Sequence, residues 1–134
     1  MSSNVNRQAD ASISVSYDGG NEYVLLGLKG RMVYETSDEF SQDLSALVQK
    51  KKKYIINVDE LTKIDSTGLG VLIVFAKNVQ DSGGQVAFVV AQEFLQNIFK
   101  IAKFDYVFPV ASTVDQAKQA LRDGYQSQIN LMSY

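Results

Sequence analysis

The stretch Lys63-Ile64-Asp65-Ser66-Thr67-Gly68-Leu69-Gly70-Val71-Leu72-Ile73 decides how this chain is read. An apolar extended run, Tyr54-Ile55-Ile56-Asn57-Val58, ends a few residues before it, and after Gly70 the apolar positions recur with the period of a buried helix. Two adjacent hydroxyls therefore stand at the mouth of a helix, beside a carboxylate and two glycines. The first turn of a helix carries unpaired N–H groups and the positive end of the dipole, so it tolerates a phosphate. Nothing beside it in the sequence offers acid–base chemistry. The segment reads as one that receives a phosphate, not one that catalyses.

Outward from this stretch, strands and helices alternate. Residues 1–11 read as a flexible N-terminal tail. Ile13, Val15 and Tyr17 alternate with serines as in a half-buried strand, Asp18-Gly19-Gly20-Asn21 supplies a turn, and residues 23–28 return as the second arm of a hairpin that Gly30 ends. A first helix is expected from Thr36, whose spacing to Glu39 matches a capping box, with Phe40, Leu44, Leu47 and Val48 on one face. The central strand 54–58 follows, then a loop to Asp65 and a helix over 66–80 that Asp81-Ser82-Gly83-Gly84 terminates. A strand at 85–90, a short helix over 94–102 and a short strand at 106–108 come next, with Pro109 ending the last. Ser112 and Asp115 repeat the capping-box spacing before a final helix. Residues 124–134 read as a C-terminal tail, with addition to a partner's surface as the alternative.

The expected fold class is α/β: a mainly parallel sheet of four to five strands, an N-terminal antiparallel hairpin strand, and about four helices. Helices spaced between strands imply right-handed crossovers. Whether they cover one face or both is not decided by periodicity.

Composition narrows the chemistry. The 134 residues suit one domain with a real core. Cysteine and histidine are both absent, which removes thiol catalysis, disulfides, the commonest metal ligand and the usual general base near neutral pH. No Asp/Asn/Gly loop has calcium-binding spacing. No catalytic residue, cofactor or metal is expected. A formal charge of -2, from 13 basic and 15 acidic residues, argues against nucleic acid. Lys50-Lys51-Lys52-Lys53 reads as a solvated corner that complements a helix C-terminus. With no run of about 20 apolar residues and no signal-peptide pattern, neither a membrane span nor export is expected, and the cytoplasm is the expected location.

Within the deciding stretch, Ser66 is placed as the helix N-cap and as the phosphate acceptor, with Thr67 the stiffer rival. Gly68 and Gly70 each cost roughly 1 kcal/mol against alanine in a helix, which makes sense where something approaches the backbone closely or the corner is tight. Leu69 between them reads as an anchor for a partner or, by helical period, as a core side chain.

Residues 12–123 resemble a STAS domain of the bacterial anti-sigma factor antagonist type. The resemblance is carried by Asp65-Ser66-Thr67-Gly68-Leu69-Gly70 after the strand 54–58, by Gly83-Gly84 before the next strand, and by the helix from Phe94 to Phe99 leading to Phe104-Asp105-Tyr106. It implies a non-catalytic module that binds an anti-sigma factor, itself a serine kinase of the histidine-kinase-like ATPase fold. That kinase phosphorylates the serine after the aspartate, here Ser66, and a PPM-type serine phosphatase reverses it. Asp65 through Gly70 are implied as partner-binding. Such proteins carry Gly-x-Leu-Asp or similar where the second strand meets the first helix. Here the segment is Gly30-Arg31-Met32-Val33, so Arg31, Met32 and Val33 are expected to mark a partner surface cut differently. A monomer or weak homodimer is expected.

Two other accounts compete. A STAS-like scaffold or regulator of secretion, motility or biofilm state, without phospho-switching, is compatible with Val33 and the tail. A small enzyme would have to work with carboxylates such as Asp59, Glu60 and Asp65.

Overall fold

The computed structural model describes residues 2–8 (backbone only), 11–20 and 22–123. Among the described residues six strands form one sheet in chain order: β1 Ser2–Gln8, β2 Ala11–Asp18, β3 Tyr23–Met32, β4 Lys53–Ile64, β5 Gln85–Val89 and β6 Val110–Ala111. The first two junctions are antiparallel and the remaining three parallel. The helices are α1 Ser37–Ser45, α2 Ser66–Asp81, α3 Glu93–Ile101 and α4 Val114–Arg122. The expected mixed α/β class holds, with one strand more.

The extra strand corrects the reading of residues 1–11 as a tail. Ser2–Gln8 pairs antiparallel with β2, Val5 lying opposite Ile13. The exposed edge of β2 offers unpaired N–H and C=O groups, and a polar segment can take them up through its backbone alone, without an apolar alternation to reveal it. The tail read at 124–134 lies outside the described residues.

The strand order explains where the helices go. Parallel strands that step in one direction by right-handed crossovers place every crossover helix on the same face. Accordingly, α1, α2 and α3 bury Phe40, Leu44, Leu72, Phe75, Leu95 and Phe99 against one sheet face, which contributes Leu26, Tyr54, Ile56 and Phe88. α4, which follows β6, folds onto the opposite face, setting Ala117 and Leu121 against Tyr23, Ile55 and Ala87. The rest of that second face, with Ser12, Ser14, Ser16 and Asn57, lines an open depression of about 380 Å³. This is why β2 alternates serine with apolar residues.

Several local readings change. β4 runs on past Val58 to Ile64, and β3 past Gly30 to Met32, because Gly30 pairs with Leu61 after one register shift and Met32 with Ile64 after a second. Residues 106–108 are not a strand. Lys103 takes a left-handed conformation (φ 62), and a 3-10 turn over Phe104–Tyr106 follows. The Val107 and Phe108 N–H groups both donate to the Phe104 carbonyl, and the Phe104 and Phe108 rings pack edge-on around Phe88. The cap of α4 is Thr113, not Ser112: its Oγ1 accepts from Gln116 N at 3.1 Å. Thr36 does not cap α1 with its side chain. It is buried, donating to the Arg31 carbonyl at 2.6 Å and accepting from Val33 N at 3.1 Å, after a 3-10 turn over Tyr34–Thr36. The end of α2 is as expected: Gly83 (φ 86) donates to the Gln80 carbonyl and Gly84 to that of Val79, a Schellman closure.

Candidate functional site

The site grows from the junction of β4 and α2. After Ile64, Asp65 is extended and serves as the N-cap of α2: Oδ1 accepts from Gly68 N at 2.9 Å, and Oδ2 accepts from Tyr34 N at 3.1 Å. One carboxylate thus holds the start of α2 and the turn leaving β3 together. These amides, with Gly68 N first, stabilise the charged form and hold the Asp65 carboxyl below the usual carboxylate range, against a smaller opposing effect of burial.

The cap assignment moves by one residue from the sequence reading. Ser66 is the first helical residue, not the N-cap, and its side chain is exposed. Aspartate is as good a cap as serine and stands where the backbone is still extended, so it takes the amide. Ser66 is left with no capping duty. Thr67 is half-buried.

The two glycines serve different ends. A Cβ on Gly68 would stand 2.1 Å from the Met32 carbonyl oxygen and 3.0 Å from Ile64 Cγ1, so its bareness lets α2 sit down on the end of β3. Gly68 is buried, and the tight-corner explanation accounts for it. A Cβ on Gly70 would meet nothing within 4 Å. Packing inside the molecule gives no reason for glycine there.

Of the segment Arg31-Met32-Val33, only Arg31 presents its side chain. Met32 and Val33 are 0% and 2% exposed, because β3 continues through Met32 and the following turn faces inward at Val33 and Thr36. Their side chains therefore lie in the interior and not on the expected surface. Tyr34, which the sequence reading passed over, is 72% exposed and is anchored through its backbone to Asp65. Tyr34 and exposed Glu35 stand between buried Val33 and buried Thr36, and no periodicity marks them in so short a turn.

Beside Ser66 lies an open apolar groove of about 530 Å³. Leu69, Ile73 and Val74 form the α2 side, and Ala102 and Phe104 the other, with Ser66 and Gly70 on its border. Leu69 is half-buried against the core and lines the groove, so both sequence readings of it apply.

Asp59, Glu60 and Asp65 do not form an acid–base cluster. Asp59 accepts from the backbone of Ala91 and Gln92 at 2.8 and 3.0 Å, and Asp65 is committed as described. Among the described residues no group of three or more acidic side chains is arranged to hold a metal ion. Among them, too, no helix is long and apolar enough to cross a membrane.

Comparison with known proteins agrees with this geometry. The family model for the STAS domain matches residues 14–117. The chain belongs to the STAS family, and its fold is that of the anti-sigma factor antagonists. A candidate anti-sigma factor antagonist of Bordetella bronchiseptica, BtrV, is 25% identical over 96 residues, covering 71% of this chain and 83% of the relative. The crystal structure of a candidate antagonist from Thermotoga maritima superposes with a TM-score of 0.71 at 20% identity, over 81% of this chain and 92% of that one. The Bacillus cell-fate determinant SpoIIAA in its phosphorylated form superposes with a TM-score of 0.56 at 16% identity, over 81% and 99%.

Proposed function

We propose that this protein is a non-catalytic, phospho-switched binding module: unphosphorylated, it docks an anti-sigma factor serine kinase of the histidine-kinase-like ATPase fold, and phosphorylation of Ser66 releases it. The observation that carries this reading is the combination at the start of α2. Ser66 is exposed and free of capping duty, and it borders an apolar groove next to Gly70, whose missing side chain the fold does not use. A glycine kept in a helix against a cost of roughly 1 kcal/mol fits a surface where another backbone comes close.

The physics of the switch follows. A phosphate adds about -1.5 to -2 charges at pH 7 and three strong acceptors. In the free protein it sits in water at the positive end of α2, where its cost is small. Under a close-packed partner the same dianion has to be stripped of water beside apolar side chains, and without a cation to match it that is unfavourable by several kcal/mol. The fold is unchanged while the interface fails. The nucleotide, magnesium ion and catalytic groups belong to the kinase, and a PPM-type phosphatase restores the binding form. Arg31 and Tyr34 stand on the neighbouring turn as partner contacts, in place of the aspartate that resembled antagonists carry where Val33 turns inward here.

The test is incubation of the chain with its cognate kinase and ATP, followed by peptide mass spectrometry. Phosphate is expected on Ser66 and absent from the Ser66→Ala variant; full labelling of that variant, on Thr67 or elsewhere, overturns the site. The Ser66→Asp variant is expected to bind the kinase much more weakly than the parent.

A further inference from the structure

The sheet face that carries α4 is covered only in part. In register, Ser16, Leu25 and Ile55 make one row across β2, β3 and β4. Ser14, Gly27 and Asn57 make the next, and Ser12, Lys29 and Glu60 the third. α4 closes over the first row at its Ile55 end, while the other two rows open into the depression, which Val114 borders. Parallel strands are found mostly with both faces covered. Yet Gly27 and Asn57, opposite each other within the parallel β3–β4 pair, are only half-buried.

The chain itself has a segment placed to close this gap. Lys118 Nζ pairs with Asp18 and lies 5.2 Å above the Tyr23 ring, and Asp18 and Tyr23 face each other where β2 and β3 meet. α4 therefore runs from the depression at Val114 toward that hairpin end, and residues 124–134 continue from there, beside the row of Ser16 and Leu25. Gly124 directly follows Asp123, the C-cap of α4, and glycine at that position is the residue that most readily reverses a chain after a helix. From Ser16 to Ser12 the open face is about 14 Å long, and residues 124–134 reach about 16 Å as a helix or about 36 Å extended.

Composition points the same way. All 13 basic and 15 acidic residues precede residue 124. The segment after it mixes amides and hydroxyls with Tyr125, Ile129, Leu131, Met132 and Tyr134. Segments that stay solvated are rich in charge and poor in large apolar side chains, and this one is neither. Laid in the depression, it sets apolar side chains beside Leu25 and Val114 and amides beside the serines and Asn57, and it buries no charged side chain of its own.

We propose that residues 124–134 fold back from the end of α4 and cover the open part of this sheet face within the same molecule. The cover lies on the face away from α2 and does not depend on Ser66.

The test uses the full chain, which has no cysteine, so Asn130→Cys gives a single attachment point for a nitroxide. In the nitrogen-15 spectrum, the amide signals of Ser14, Ser16, Leu25 and Gly27 are expected to be lost and to return when the nitroxide is reduced. Those of Val74 and Ile101, exposed on the helices of the other face, are expected to keep their intensity. Ser14→Arg, at an exposed position in mid-β2, is expected to restore the lost signals with the rest of the spectrum in place. A mixture of nitroxide-bearing chain without nitrogen-15 and nitrogen-15 chain without nitroxide is expected to show no loss. Full intensity throughout the first sample, losses on the α1–α3 face, or losses that Ser14→Arg leaves unchanged overturn the proposal. Losses of the same size in the mixture also overturn it, because they give the segment to a second copy.

Discussion

Gly68 and Gly70 are two residues apart in one helical turn, yet the surroundings of a β-carbon separate them completely. Gly68→Ala forces a methyl against the Met32 carbonyl and is expected to lower stability by about 1–3 kcal/mol, read from urea denaturation. Gly70→Ala adds a methyl in open space and removes a flexible backbone position, so it is expected to raise stability by about 0.5–1 kcal/mol while weakening partner binding. Equal effects of the two would contradict this division. Asp65 carries the pH dependence of the corner. Its folded pKa is lowered, so its contribution to stability is fully present above the unfolded value of about 3.9 and is lost as the pH falls through the folded value. Asp65→Asn is expected to flatten the acid limb of the stability curve and to lower stability near neutrality by about 0.5–2 kcal/mol, the usual range for losing a cap. At this scale the Asp65-Ser66 pair was legible, because an acid followed by small polar residues marks a helix start. Which of the two caps was not, since both side chains suit the role and backbone extension decides between them.

Periodicity located α2 nearly to the residue, and its closing glycines were read correctly, because a long apolar helix between polar breaks has few alternatives. The connection from β3 to α1 was misread for a physical reason. Thr36 has the spacing of a cap, but β3 runs two residues past Gly30, and this draws Thr36 into the interior, where its hydroxyl ties the Arg31 carbonyl to the Val33 amide. Thr36→Val keeps the shape and removes both bonds. It is expected to cost about 1–3 kcal/mol by leaving the Val33 N–H unpaired, read as a fall in the thermal midpoint. The misplaced strand at 106–108 has a related cause: an aromatic-rich run looks extended in sequence, but here Phe104 and Phe108 close a turn around Phe88. Strand β1 left no apolar alternation to find, since backbone pairing at an edge needs none.

Across the whole molecule, the sheet separates the proposed phosphorylation site from α4. The N-terminus of α2 and the groove belong to the face covered by α1–α3, whereas α4 stabilises the other face through Ala117 and Leu121. Leu121→Ala is expected to cost about 2–3 kcal/mol in stability while kinase labelling of Ser66 proceeds at the parent rate under conditions where the variant is folded. The strand order that sets this division follows from short connections and handed crossovers, and those were legible. The face chosen by α4 was not, because helical periodicity shows which stripe of a helix is buried and not which sheet face receives it.

The central claim is that charge placed on Ser66 abolishes docking without disturbing the fold. The most direct measurement is calorimetric titration of the cognate kinase, held with a non-hydrolysable nucleotide, against the chain with Ser66 either bare or stoichiometrically phosphorylated. The account predicts that the phosphorylated form binds at least about a hundredfold more weakly, near 2.7 kcal/mol, with an unchanged unfolding midpoint. Equal affinity of the two forms would contradict it.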